Sequence, residues 1–172
     1  MRRTKIASIG LTAMLLAGCG KGGQLYNRPP DQVRDLLRTV EVPLYMFGSS
    51  AETESILDSS DPARLVWKIK ANDYNVLKFV ATVEPEGENK TRVIVDLEGA
   101  QEGKFGNVEE RLKKIPGVRN FYLVSMREAV DSTLDGRTYD ITATYPAMMS
   151  AAMANANRMF PKNGPSGASE HR

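Results

Sequence analysis

Between residues 64 and 98 apolar and polar residues change places almost one for one. In "ARLVWKIKA" Leu65, Trp67, Ile69 and Ala71 alternate with Arg64, Val66, Lys68 and Lys70. A period of two belongs to a strand with one buried and one wet face. In "VLKFVATVE" Leu77, Phe79, Ala81 and Val83 continue the pattern opposite Lys78 and Thr82, and Val93, Val95 and Leu97 line a third segment. Asn72-Asp73 and "PEGENK" at 85–90 separate the segments as turns. Three strands joined by short polar turns predict an antiparallel meander. Its polar face carries Lys68, Lys70 and Lys78 with Arg92 nearby, a pattern that suits a solvated face or an anion site.

Elsewhere the spacing is helical. After Pro29-Pro30-Asp31, which suits a first turn, Val33, Leu36, Leu37 and Val40 fall on one face. Pro43 ends that helix. Residues 49–62, "SSAETESILDSSDP", are rich in serine and acid and predict a mobile loop, with Ile56 and Leu57 available to the core. Val108, Leu112 and Ile115 share a helical face up to Pro116-Gly117. A longer helix is predicted over 118–134, with Tyr122, Met126, Val130, Thr133 and Leu134 facing inward and Gly136 as its stop. Ile141, Ala143 and Tyr145 alternate as a short strand would. Residues 147–160 form a last helix rich in Ala and Met, either gap-filling core or an adaptable contact surface. From Pro161 onward the composition predicts disorder.

The expected fold class is α+β, an antiparallel β-meander packed against a long C-terminal helix. A chain of 172 residues allows one such domain with extensions. The chain carries 23 basic and 21 acidic residues. Arg2, Arg3 and Lys5 account for three of the basic ones, so without residues 1–18 the balance is 20 to 21. No overall field then draws the remainder toward nucleic acid.

The N-terminal segment explains that distribution. Arg2, Arg3 and Lys5 precede an apolar run of 11 residues, Ile6 to Leu16, too short to span a bilayer. The run ends in Leu16-Ala17-Gly18-Cys19, which resembles the lipobox of bacterial lipoprotein precursors. The resemblance implies cleavage of a signal peptide over 1–18, a diacylglycerol on the Cys19 thiol and an acyl chain on its new amino group. Two or more chains make a durable anchor where one is marginal. Residues 19–27 would be the acylated cysteine and a flexible Gly-rich tether, 28–145 the α+β domain, 146–160 the Ala/Met-rich helix and 161–172 the tail. The protein would sit in the cell envelope. In a Gram-negative source, Gly20 in place of Asp favours the outer membrane facing the periplasm.

Cys19 is the single cysteine, and the single histidine, His171, lies in the tail. With Cys19 assigned to the anchor, no Ser/His or Cys/His catalytic pair and no zinc site of those ligands can be built. Asp131 and Asp135, at i and i+4, suit a cation or a solvated helix face. "EGAQEGKFGN" lacks the Gly-Lys-Ser/Thr ending of a phosphate loop. No enzyme, metal or cofactor is expected beyond the covalent lipid.

The order of elements, with "NRPPDQVRDLL" at 27–37, the strand run 64–98 and the helix 118–134, resembles the helix-grip (START-like, polyketide-cyclase-like) family. That resemblance implies a cavity between the sheet and the long helix that binds an apolar or amphipathic small molecule. Trp67, Phe79, Tyr122 and Met126 are its candidate lining, although the alternation around Trp67 also suits a core residue. Three functions follow: a tethered small-molecule binding module, a structural lipoprotein docking an envelope protein through the 147–160 helix, and a helix-grip hydrolase or cyclase working without His or Cys.

Overall fold

The structure, a computed structural model, describes residues 22–48, 52–101 and 103–159, with side chains through Asn155 in the last helix. The signal segment 1–18, Cys19 and the 161–172 tail lie outside the described residues. Among the described residues five antiparallel strands form one open sheet: β1 (Gln24–Tyr26), β2 (Thr53–Asp58), β3 (Arg64–Ala71), β4 (Tyr74–Gly87) and β5 (Lys90–Gly99), in the order β1-β5-β4-β3-β2. The helices are α1 (Pro30–Leu37), α2 (Val108–Lys114), α3 (Pro116–Asp135) and α4 (Tyr145–Met159). The α+β class and the long helix agree with the sequence pattern.

The meander follows the alternation. Trp67 pairs with Phe79 and Phe79 with Leu97, so one face of three strands carries the bulky apolar residues. Asn72 and Asp73 have φ of 49° and 67°, the left-handed pair that a two-residue hairpin turn needs. Helices α1, α2 and α3 cover this apolar face. Proline opens both α1 and α3, and Gly136 ends α3 with φ 67°. Val33 and Leu37 of α1 and Met126, Val130 and Leu134 of α3 are buried, while Tyr122 and Thr133 are half-buried.

Three expectations are corrected. The loop predicted at 49–62 contains β2, which pairs with β3 from Thr53↔Ala71 to Asp58↔Val66. Arg34 of α1 donates to the Ser59 and Asp61 carbonyls at 3.2 and 3.0 Å and pins the following turn. Gln24–Tyr26, placed in the flexible tether, form β1 against Thr91–Val93. The alternation at 141–145 is no strand: Ile141–Thr144 is a 3-10 turn, capped by the Asp140 carboxylate accepting from Thr142 N–H at 2.9 Å.

Opposite charges meet across strands on the polar face. Lys68 reaches Asp58 at 2.9 Å, Lys70 reaches Glu54 at 3.4 Å and Lys78 reaches Glu98 at 2.7 Å. All three lysines are therefore matched by carboxylates, which suits a solvated face better than an anion site.

Candidate functional site

The four residues suggested as pocket lining lie in the layer between sheet and helices. Phe79 and Met126 have no exposed surface, and Trp67 is buried. Tyr122 is half-buried, and burial pushes its hydroxyl pKa upward. Phe47, in the 3-10 turn Leu44–Phe47, joins two of them, its ring 5.1 Å from Tyr122 and 6.5 Å from Phe79. These rings and Met126 pack the space beneath α3 with side chains.

Trp67 alone of the four borders a described cleft. The connection after α1 runs beside β2, and between them lies an open cleft of about 510 Å³. Val40, Val42, Leu44, Leu57 and Trp67 supply its apolar lining. The Trp67 indole N–H is buried and has no hydrogen-bond partner among the described residues. Such a donor is costly to leave unpaired and usually signals a water or a ligand atom. The sequence carried part of this signal in the i, i+2 spacing of Val40, Val42 and Leu44. It was obscured because Ser and acid dominate 49–62 and hide the strand that forms the second wall.

A second recess, about 380 Å³, opens between β1, β5 and α3. There the Tyr26 hydroxyl donates to the Asp131 carboxylate. Burial raises the pKa of both groups, with the neighbouring Asp135 adding to the shift on each. Asp135 itself faces Arg137 at 3.7 Å, so the i, i+4 aspartates are engaged separately. Among the described residues no three His, Cys, Asp or Glu side chains group as a metal site.

Beside this recess Glu128, nearly buried, receives Arg137, with one contact at 2.9 Å, and the Asp140 N–H at 2.9 Å. The Arg137 guanidinium holds the Glu128 carboxyl below its usual pKa. The Tyr45 and Tyr139 hydroxyls meet at 2.8 Å and join the Leu44–Phe47 turn to the segment before α4. These networks fasten elements together.

Helix α4 packs on α3 through Ala147 and Ala151, both buried. A Cβ at Gly117 would stand 3.3 Å from Ala151 Cα, so the small residues set the close approach. The opposite side is apolar and wet: Met149 is 57% exposed and Met153 69%, with Tyr145 and Met148 beside them. None of residues 145–155 carries a formal charge.

No protein family, curated protein or solved structure matches the chain. Among the described residues no helix is long and apolar enough to cross a membrane.

Proposed function

We propose that the protein is a lipid-anchored lipoprotein of the cell envelope that docks a protein partner through the outer face of α4. The observation that carries this reading is the uncharged face of Tyr145, Met148, Met149 and Met153, left in solvent while Ala147 and Ala151 fasten the helix. Exposed large apolar residues grouped on one helix mark a contact surface, and methionine adapts to the surface it meets. Without a charge on this face, the matching partner surface is an uncharged apolar helix or groove. The anchor rests on the Leu16–Cys19 motif. Four residues separate Cys19 from β1, five Cα steps with a reach of at most about 18 Å, so β1 and its recess would stay close to the bilayer.

A second reading, retention of an apolar or amphipathic small molecule, is favoured by the unpartnered Trp67 N–H beside its cleft. The antiparallel sheet with α3 across it supports a helix-grip relationship. The packing of Phe79 and Met126 between those layers weighs against the enclosed cavity that relationship would bring.

The test is site-specific photo-crosslinking of the full chain in native membranes, with intact-mass analysis of Cys19. A probe at Met149 should give one adduct of defined mass, lost in Met153→Lys, while a probe at Glu88 gives none. Equal labelling from both positions, or an adduct that survives Met153→Lys, refutes docking through α4. An unacylated chain that retains residues 1–18 refutes the anchor separately.

A further inference from the structure

The two edges of the sheet are finished differently. At β5, residues 91–93 are covered by β1. Beyond them Arg127 of α3 donates to the Val95 carbonyl at 3.4 Å, and Arg119 donates to the Leu97 carbonyl at 3.0 Å. The Leu97 N–H donates to the Asp96 carboxylate and the Gly99 N–H to the Glu109 carboxylate, both at 2.7 Å. Side chains thus close an edge that would otherwise invite another strand.

At β2, Ser55 and Leu57 have no such cover among the described residues. The Glu52 carbonyl accepts from Asn72 N–H at 3.0 Å, and the register runs unbroken through Asp58↔Val66. In an antiparallel pair the inward-bonded residues alternate, so Glu54, Ile56 and Asp58 bond to β3. Ser55 and Leu57 then turn their N–H and C=O groups away from the sheet. No side chain or other segment among the described residues meets those groups. The side chains of Ser55 and Leu57 line the cleft that Trp67 borders, and Ile56 is exposed on the other face.

We propose that the β2 edge is a strand-addition site for an extended segment of a partner polypeptide. Its main chain pairs with Ser55 and Leu57, alternate apolar side chains enter the Trp67 cleft, and basic side chains flank an apolar one over Glu54, Ile56 and Asp58. Two outward donor–acceptor sets two residues apart match an extended main chain, and the adjoining pocket supplies side-chain selection. Charge chooses between occupants. In a twofold pairing of β2 with a second copy, with Ile56 opposite its equivalent, each Glu54 stands opposite an Asp58, an unfavourable like-charge pair. A lysine or arginine at those positions is favourable, because Glu54 keeps lone pairs beyond the one Lys70 uses, and Asp58, which also accepts the Ser60 N–H and hydroxyl, keeps one beyond these and Lys68. This site goes beyond docking through α4 and depends on neither that surface nor the lipid anchor.

Trp67 is the single tryptophan of the chain and reports on its own cleft. The experiment titrates the full chain in phosphatidylcholine liposomes with the blocked peptide acetyl-Lys-Val-Val-Val-Lys-amide. Tryptophan emission is followed alongside hydrogen exchange at the Ser55 and Leu57 amides. The expected result is a saturable emission change with slowed exchange at both amides. Methylating the second and fourth peptide nitrogens, which face β2, should weaken binding about tenfold, as should Ser55→Pro, which removes an outward N–H. Equal affinity for the methylated peptide overturns the proposal, and this comparison needs no variant to fold. No response to the peptide at millimolar concentration overturns it as well. So does an emission change seen with lauric acid but not the peptide, which gives the cleft to a small amphiphile. A dimer that Ser55→Pro disperses gives the edge to a second copy and likewise overturns it.

Discussion

Replacing Phe79 with alanine tests whether the layer beneath α3 is packed or hollow, which separates surface docking from enclosure of a ligand. Phe79 lies on the central strand β4, has no exposed surface and packs against Phe47 at 6.5 Å. Removing the ring forfeits about 2 kcal/mol of transfer free energy. A void of about 100 Å³, if the neighbours do not collapse, adds about 2.4 kcal/mol at 24 cal/mol per Å³. The total, about 4 kcal/mol, falls within the usual range for Phe→Ala in a packed core. It is a large part of the stability of an ordinary domain. Urea unfolding followed by circular dichroism should show the midpoint falling with the slope unchanged, and saturating benzene should recover part of the loss by filling a dry cavity. A cost below about 1 kcal/mol would refute the reasoning, because it would mean that Phe79 already borders empty or yielding space.

Other variants test other parts of the structure. Glu128→Gln should cost about 2 kcal/mol at pH 7, since it weakens charge-assisted bonds to Arg137 and Asp140 N–H. The folded-state pKa of Glu128 is lowered, so this stabilisation is complete above the ordinary glutamate pKa of about 4.3 and is lost as pH falls through the folded value. The gap between variant and wild type should therefore shrink in acid, and a gap that stays constant would refute the role of ionisation. Asp131→Asn keeps an acceptor for Tyr26 and should behave in the opposite way. Burial raises the Asp131 pKa, so wild-type stability falls as pH rises from about 4 through the folded value, and the variant should gain on it over that window. In Gly99→Ala the new Cβ would lie 2.4 Å from the Glu109 backbone nitrogen, so thermal unfolding should reveal a loss of about 1–3 kcal/mol. The double variant Arg119→Ala, Arg127→Ala uncovers the Val95 and Leu97 carbonyls and should self-associate more than wild type by light scattering; unchanged scattering would refute the edge-closing role.

Local pattern carried much of the fold. Wherever one face of a segment is buried, alternation or helical spacing is written in the residues themselves. This is why β3, β4, β5 and α3 could be read, including the inward set of Met126, Val130 and Leu134. The Leu16–Cys19 resemblance to a lipobox is legible for another reason: such a motif is addressed to processing enzymes and needs no fold around it. β2 escaped because its sequence, "TESILD", is polar at alternate places on both faces. Its identity as a strand comes from six cross-strand partners in β3, including the lysines that form ion pairs with Glu54 and Asp58. The 141–145 alternation misled because Asp140 caps a turn there, and a local hydrogen bond outweighed a weak β pattern.

The site divides along the same line. Chemical type and spacing by themselves limit any His- or Cys-based centre to Cys19 and His171. They also brought Trp67 and the α4 methionines forward. Tertiary structure decided which of these residues meet solvent. The methionines are exposed because Ala147, Ala151 and Gly117 seat α4 so closely that its larger side chains must face outward. Phe79 and Met126 are packed because α3, which carries Met126, lies with α1 and α2 across the apolar face of the sheet. The closing of the β5 edge depends on arginines more than 20 residues away in the chain, and pairing over such distances leaves no periodic trace in the sequence.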